Sequence, residues 1–387
     1  MKILWVKSDF LHPTNGGGQI RTLETLKRLH QRHEIHFAAL DLPQPGAGVS
    51  RSSEYCTKAY AVPHSVPRNF APRFWWQAAA STSTGLPLTV LRYRSHELLR
   101  RVETLTRREK FDAIVCDFLA SAANIPELGN AVLFQHNVES MIWKRHTEHA
   151  PTPWHRALCR AQYQRMLRYE GEVCRAAKKI VAVSGVDARE MHSLYGASRI
   201  ACVSTGVDVE YFTPSHGIQQ TYDLVFLGAM DWRPNIDGVK WFVSSVLPLI
   251  RMRLPDVSLL VVGRRGLSGR DSRIHVTGTV EDVRPYLWKS AVSIVPLRIG
   301  GGTRLKIYEA MAAKIPVVST SVGAEGLDVR DGENIQIADS PEAFAERCIA
   351  LLSAAETRRK QSQAAWEMVS ACYSWEVVSR KFEQLLA

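Results

Sequence analysis

The sequence contains no apolar run of about 18 residues, the length that a membrane-crossing helix needs. Its opening apolar stretch, Ile3-Leu4-Trp5-Val6, is too short to be the core of a secretory signal. Cys-x-x-Cys is missing. The 7 cysteines are scattered and odd in number, so they read as reduced core thiols of a cytoplasmic protein rather than a disulfide or zinc framework. Asp-x-Asp is missing too. That pair is what a divalent cation would use to hold a diphosphate, so neither a metal nor another cofactor is expected. Zinc-finger and RNA-binding signatures are absent, which removes nucleic acid from the expected partners. Short repeats and low-complexity tracts are absent as well.

What is present describes a globular chain. Its 387 residues are enough for two domains, and 45% hydrophobic with 22% charged residues is ordinary for a folded protein. The charge is uneven. Residues 1–219 hold 28 Lys+Arg against 19 Asp+Glu, whereas residues 220–387 hold 21 against 19. The excess gathers at 92–110 and 144–179. Such a field suits a phosphorylated substrate or an anionic membrane surface; a solvated helix face is the plainer alternative. Residues 68–76, Arg-Asn-Phe-Ala-Pro-Arg-Phe-Trp-Trp, mix cations with aromatics as a headgroup-facing segment does. Peripheral attachment to the inner membrane face is therefore an expectation.

Strand-like and helix-like segments alternate throughout. Residues 2–7, 34–40, 113–116, 131–135, 179–183 and 200–203 read as strands, and 19–32 as a helix with Ile20, Leu23, Leu26 and Leu29 on one stripe. Pro, Ser and Gly interrupt residues 43–90. After a linker-like 216–220, strands are expected at 223–227, 258–262, 274–276, 292–295 and 317–319. Helical stretches fall at 236–253, 281–289, 304–314, 341–353 and 356–387. Two such series predict an α/β protein of two doubly wound, Rossmann-like domains facing a cleft, divided as 1–215 and 220–371.

The most informative stretch is 299–313. There Gly300-Gly301-Gly302 runs into a helix that Thr303 can cap. Free amides and the helix dipole attract an anion, and Arg304 and Lys306 add cations. Glu309 shares a face with Lys306 and can accept hydrogen bonds from sugar hydroxyls. These groups have the order needed to hold a nucleoside diphosphate; a capped helix with a solvated Lys–Glu pair is the alternative. Gly16, Gly17 and Gly18 let backbone amides approach a ligand, or form only a flexible turn. A dinucleotide fingerprint would need a third glycine where Arg21 stands. His136 is delivered to the end of a strand, the ligand-facing edge of an open sheet, and Asp117 follows another. Arg233, in the turn after the first strand of the second half, could reach a phosphate, and Gly263 directly follows the next strand; either turn could equally be an ordinary βα connection.

On these residues the chain resembles the family-4 retaining glycosyltransferases of the GT-B fold. Residues 226–235 resemble the family's Gly-Arg-Leu-Asp segment, and 203–208 its Pro-Asn-Gly-Val-Asp turn. Residues 309–318, Glu-Ala-Met-Ala-Ala-Lys-Ile-Pro-Val-Val, match its Glu-Ala-Met-Ala-x-Gly-x-Pro-Val-Val signature. The resemblance implies a donor site in the C-terminal half and an acceptor site in the N-terminal half. It implies Glu309 on the ribose, Arg304 and Lys306 on the diphosphate, and Gly16 to Gly18 over the phosphate and acceptor side. His136 would meet the donor sugar, and a last helix at about 372–387 would return to the first domain. Gly301 stands where the family has its first glutamate. Ala229 and Pro234 replace the diphosphate-binding Arg and Lys, leaving Arg233, Arg304 and Lys306 as substitutes. These departures resemble a subset that builds bacterial exopolysaccharide.

The expected function is metal-independent transfer of a hexosyl group, with retention of configuration. The donor is a nucleotide sugar and the acceptor a saccharide or a lipid diphosphate-linked saccharide. A nucleotide-sugar epimerase or hydrolase of the same fold, and a non-catalytic sensor, are the alternatives; a dehydrogenase ranks behind them.

Overall fold

A computed structural model describes residues 1–14, 16–42, 48–66, 81–148, 150, 152–214, 218–264, 271–299 and 305–387. The chain divides into two units, Met1–Ser204 with Val378–Ala387, and Thr205–Val377.

The first unit holds a seven-stranded, all-parallel sheet. Its strands are β1 (Lys2–Lys7), β2 (Glu34–Asp41), β3 (Lys58–Pro63), β4 (Ala113–Asp117), β5 (Ala131–Phe134), β6 (Lys179–Ala182) and β7 (Ile200–Cys202), in the order β3-β2-β1-β4-β5-β6-β7. Ile3, Leu4, Trp5 and Val6 are wholly buried, as a strand covered on both faces must be. Leu4 and Val6 face one layer with Leu40, Cys116 and Leu133. On the other side Trp5 meets Phe134 and Phe382 at centroid distances of 5.8 and 5.6 Å. Phe382 lies on the helix Trp375–Leu386, where Glu383 also pairs with Arg32 at 2.7 Å and His33 at 2.6 Å. These contacts tie the last ten residues to the first unit.

The second unit repeats the winding. Strands β8 (Tyr222–Leu227), β9 (Leu259–Val262), β10 (Ile274–Val276), β11 (Ser290–Val295), β12 (Val317–Ser319) and β13 (Gln336–Ile337) form a parallel sheet ordered β10-β9-β8-β11-β12-β13. Alternate residues serve opposite layers: Leu224 and Phe226 pack with Phe242 and Phe344, while Val225 packs with Ile307 and Met311. The expected helix 236–253 is one continuous run from Arg233 to Arg253, interrupted by a π turn at Phe242–Val246 just before Pro248.

The boundary differs from the one read at 215–220. Residues 205–214 belong to the second unit because Val207 N–H bonds the Tyr373 carbonyl at 2.8 Å and Phe212 is buried in the second core. The linker residues 215–217 lie outside the described residues. Two strands escaped the sequence reading, β3, an edge strand with a largely exposed or half-exposed start, and β13, which is two residues long. The terminal stretch 356–387 is two helices, Ala355–Cys372 and Trp375–Leu386. Five of the cysteines are buried, while Cys202 and Cys372 are exposed.

Candidate functional site

In both sheets the strand order reverses at one point, between β1 and β4 and between β8 and β11. Open α/β sheets bind ligands beyond the carboxyl ends of the strands at that point. The chemistry in each unit collects there.

In the first unit, Lys7 ends β1, Asp117 ends β4, and His136 follows β5 by two residues. All three are buried. Asp117 accepts from Trp5 Nε1 at 2.9 Å, Thr22 Oγ1 at 2.7 Å and His136 Nε2 at 2.8 Å, with Lys7 Nζ at 3.5 Å. Burial alone would raise its carboxyl, but Lys7, His136 and Trp5 more than offset this and hold it well below the usual carboxylate range. Asp117 is therefore an anion that can only accept, so His136 Nε2 carries the hydrogen and Nδ1 keeps its lone pair. Burial pushes the imidazole down to about 4 against the pull of Asp117, so it is neutral at pH 7.

Phe118 fixes the ring from the side. It stacks on His136 at 3.9 Å with 6° between planes, and Lys7 Nζ lies 4.0 Å from its centroid. Its backbone, at φ 69° and ψ 147°, lies near a region that is essentially glycine's. Gly18 is glycine for the same neighbour, since a Cβ there would stand 2.3 Å from Phe118 Cζ. Gly16 is the extended N-cap of the helix Gly17–His30 and has open space around it. Arg21, from the same helix, is buried, lies over the Phe134 ring at 4.4 Å and donates to the Val203 carbonyl.

Glu170 clamps the histidine segment. This buried carboxylate accepts from Gln135 Nε2 at 2.7 Å, Glu139 N at 2.9 Å, Ser140 N at 2.8 Å and Tyr195 OH at 2.6 Å. It thus grips the chain on both sides of His136 and caps the helix Glu139–Glu148. Burial, then Glu170, push the Glu139 carboxyl up to about 7. A cavity of about 290 Å³ opens beside the cluster, lined by Lys7, Asp9, Gln19, Tyr93, Phe118 and Glu139 among others. That volume is at the lower end for a small-ligand pocket.

In the second unit the helix Leu305–Ala312 carries Lys306 and Glu309. Lys306 Nζ donates to Asn235 Oδ1 at 2.9 Å and lies 4.5 Å from the Phe226 centroid. Asn235 in turn donates to the Ala229 carbonyl at 2.8 Å, tying the β8 turn to the lysine. A Cβ on Gly228 would meet Lys306 Nζ at 2.8 Å, and one on Gly263 would meet the Gly228 carbonyl oxygen at 2.1 Å. Gly228 is glycine because the Asn235 and Lys306 side chains press on it, and Gly263 because the backbone of the other turn does. Burial raises the Glu309 carboxyl to about 7, with Lys306 opposing. Arg233 opens the helix Arg233–Trp241 exposed. Gly301, Gly302, Thr303 and Arg304 lie outside the described residues, as do 68–76.

The structure thus brings His136, Asp117 and Gly18 together in one unit, and Lys306, Glu309 and Gly263 in the other. Sequence reasoning missed Lys7, Phe118, Glu170 and Asn235. A lysine directly after four apolar strand residues was the available signal for the first. Among the described residues no three His, Cys, Asp or Glu converge as metal ligands, and no helix is long and apolar enough to cross a membrane.

Comparisons with known proteins agree on one family. Residues 221–354 match the model of Glycosyl transferases group 1, and residues 15–211 that of Glycosyltransferase Family 4. Among curated relatives, the phosphatidyl-myo-inositol mannosyltransferase of Mycobacterium tuberculosis is 30% identical over 51% of this chain and 56% of its own length. An uncharacterized 44.6 kDa protein in the cps region of Klebsiella pneumoniae is 27% identical over 33% of this chain and 36% of its own. The chain therefore spans about half, or less, of these relatives. Solved structures align over its whole length. The HepE protein of Anabaena, in complex with UDP-glucose, has a TM-score of 0.64 at 15% identity and is covered to 99%. Sucrose-phosphate synthase of Thermosynechococcus elongatus has a TM-score of 0.70 at 16% and is covered to 98%. At such identities the likeness establishes the fold, GT-B. Since the Family 4 model alone spans just over half of the sequence, the chain belongs to glycosyltransferase family 4.

Proposed function

We propose that the chain transfers a hexosyl group from a nucleotide-sugar donor to a saccharide or lipid diphosphate-linked acceptor, with retention of anomeric configuration and without a metal ion. The observation that carries this reading is the buried-edge pair Lys306 and Glu309 above the Gly228–Gly263 floor. An ammonium held by Asn235 suits a diphosphate oxygen, and a carboxyl three residues on suits the ribose hydroxyls. Arg233, Arg304 and the amides of Gly301, Gly302 and Thr303 would complete the diphosphate site. Gly16 to Gly18 would close over the phosphates. The second unit is then the donor domain and the first the acceptor domain.

The C1–O bond to the diphosphate breaks, and the acceptor oxygen bonds C1 on the same face. The acceptor proton passes to the departing phosphate oxygen. Cations at the helix start stabilise that oxygen as its charge grows. His136 presents a neutral imidazole whose Nδ1 can accept from a hydroxyl of the donor sugar. Two relatives support the choice of substrates: one is named a phosphatidyl-myo-inositol mannosyltransferase, and HepE was crystallised with UDP-glucose. A lipid-linked acceptor places the reaction at the cytoplasmic face of an anionic membrane, in polysaccharide assembly.

Titration calorimetry with nucleoside diphosphates tests the donor site. Glu309→Ala and Lys306→Ala should each weaken binding about tenfold or more, because charge-assisted hydrogen bonds are worth roughly 1.5–3 kcal/mol. Chelator should leave binding and turnover unchanged. Wild-type affinity in both variants would overturn the assignment. Product analysis separates transfer from epimerisation, hydrolysis or mere binding.

A further inference from the structure

We propose that the cavity beside the His136 cluster is a pocket for one uncharged sugar ring of the acceptor, and that Asp9 and Glu139 make it reject acidic and phosphorylated sugars. The inference rests on the sugar transfer proposed above and names which part of an acceptor enters the first unit.

The charges of the wall carry the argument. Among the described residues of the lining, Lys7 is the one cation. It is already committed, with its ammonium 3.5 Å from Asp117, 3.9 Å from Asp9 and 4.0 Å from the Phe118 centroid. Asp9 and Glu139 face the same space as carboxyl groups. Asp9 is held by Gln19 Nε2 at 2.9 Å, and each of its oxygens has a second lone pair to offer. Glu139 takes a hydrogen bond from the Asn137 side chain and has no cation beside it among the described residues. A phosphate or carboxylate entering here would meet two carboxyl groups with no spare cation to offset them. A hydroxyl would meet two good acceptors.

The rest of the wall suits a pyranose. Val90, Leu119 and Met166 are each at most 2% exposed and give it an apolar side for the C–H face of a ring. Tyr93 adds a hydroxyl that donates or accepts. Thr89 lies four residues earlier on the same helix, Leu88–Tyr93, and so on the same face. Its Oγ1 is buried with no hydrogen-bond partner among the described residues, which a bound hydroxyl would supply. A volume of about 290 Å³ admits one ring and not a chain of them. Every lining residue belongs to Met1–Ser204, and Phe118 of the wall stacks on His136. The ring is therefore held beside the proposed catalytic histidine. The diphosphate of a lipid-linked acceptor must lie outside this cavity.

Saturation-transfer NMR on the full chain at pH 8, which keeps Glu139 ionised, is the test. The probes are the methyl pyranosides of glucose, galactose and mannose and N-acetylglucosamine, against glucuronate and glucose 6-phosphate, each with and without uridine diphosphate. At least one neutral probe should bind at least about tenfold more tightly than both anions, because like charges set against each other in a desolvated site weaken binding by at least that much. Asp9→Asn with Glu139→Gln, which keeps shape and removes charge, should shrink this preference to within about threefold at an unchanged unfolding midpoint. Ala120→Leu, which fills the cavity from its wall, should abolish neutral-sugar binding. Lys306→Ala, in the other unit, should leave it unchanged. Glucuronate or glucose 6-phosphate bound as tightly as the neutral probes would overturn the selection, and so would a preference that survives the double variant. Neutral binding that survives Ala120→Leu, or is lost with Lys306→Ala, would place the sugar elsewhere and overturn the pocket. Absence of all sugar binding would overturn it too, while calorimetry with nucleoside diphosphates independently decides whether the donor site stands.

Discussion

Asp117→Asn isolates the buried cluster at the end of β4. The substitution keeps volume but removes charge and one acceptor. Asp117 now accepts from Trp5 and Thr22 through Oδ2 and from His136 through Oδ1. An asparagine can keep the first two only by turning its NH2 group toward His136, which must then give up the hydrogen on Nε2. The larger loss is Lys7, 3.5 Å from the carboxylate and 1% exposed. Its nearest remaining carboxylate is Asp9 at 3.9 Å, which is partly solvated. Stranding one partner of a buried pair costs about 3–5 kcal/mol, and the proximity of Asp9 argues for about 3. Removing the stranded charge as well should recover part of this. The double variant Lys7→Met with Asp117→Asn should therefore be more stable than Asp117→Asn alone by about 1–2 kcal/mol. Urea unfolding followed by circular dichroism measures both shifts in midpoint. If Asp117→Asn lies within about 1 kcal/mol of wild type, or the second substitution adds no stability, the ion pair is not what holds this corner.

Two further outcomes concern the same corner. His136→Ala should lower kcat by tenfold or more while changing nucleoside diphosphate affinity little, because the imidazole is proposed to meet the sugar and not the nucleotide; an unchanged kcat would leave it a core residue. Phe118→Gly and Phe118→Ala remove the same ring, but only glycine relieves the backbone, so the glycine variant should be the more stable by about 1–2 kcal/mol in thermal unfolding. Equal stability would mean that the φ of 69° carries no strain.

Much of the fold was readable because both sheets are parallel and covered on both faces, so most strands are short apolar runs such as those at β1, β8 and β11. β3 is an edge strand that begins with two exposed residues, and β13 pairs through only two residues. Neither leaves a hydrophobic pattern to find. Glu309 and His136 were legible for different reasons, the first from a long signature and the second from its place after a strand. Lys7 was not, because a cation at a strand end is ordinarily solvated. It is buried because β4, which lies more than a hundred residues farther along the chain, is its neighbour and delivers Asp117 beside it. Phe118 was hidden for a similar reason, since backbone conformation at one residue leaves no mark on periodicity. The charged run at 144–179 was visible as composition, but which side of its helices is bare became clear only from packing.

The grip of Glu170 also bears on how this chain can vary. One carboxylate holds the side chain of Gln135 and the amides of Glu139 and Ser140. The span between them is consequently of fixed length. Adding or deleting a residue there would force the carboxylate to release one end. Substitutions at Asn137 keep the spacing, so sequence drift in this segment should proceed by exchange of side chains and not by change of length. In a library of designed variants, the distance from Gln135 to Glu139 is the dimension to preserve.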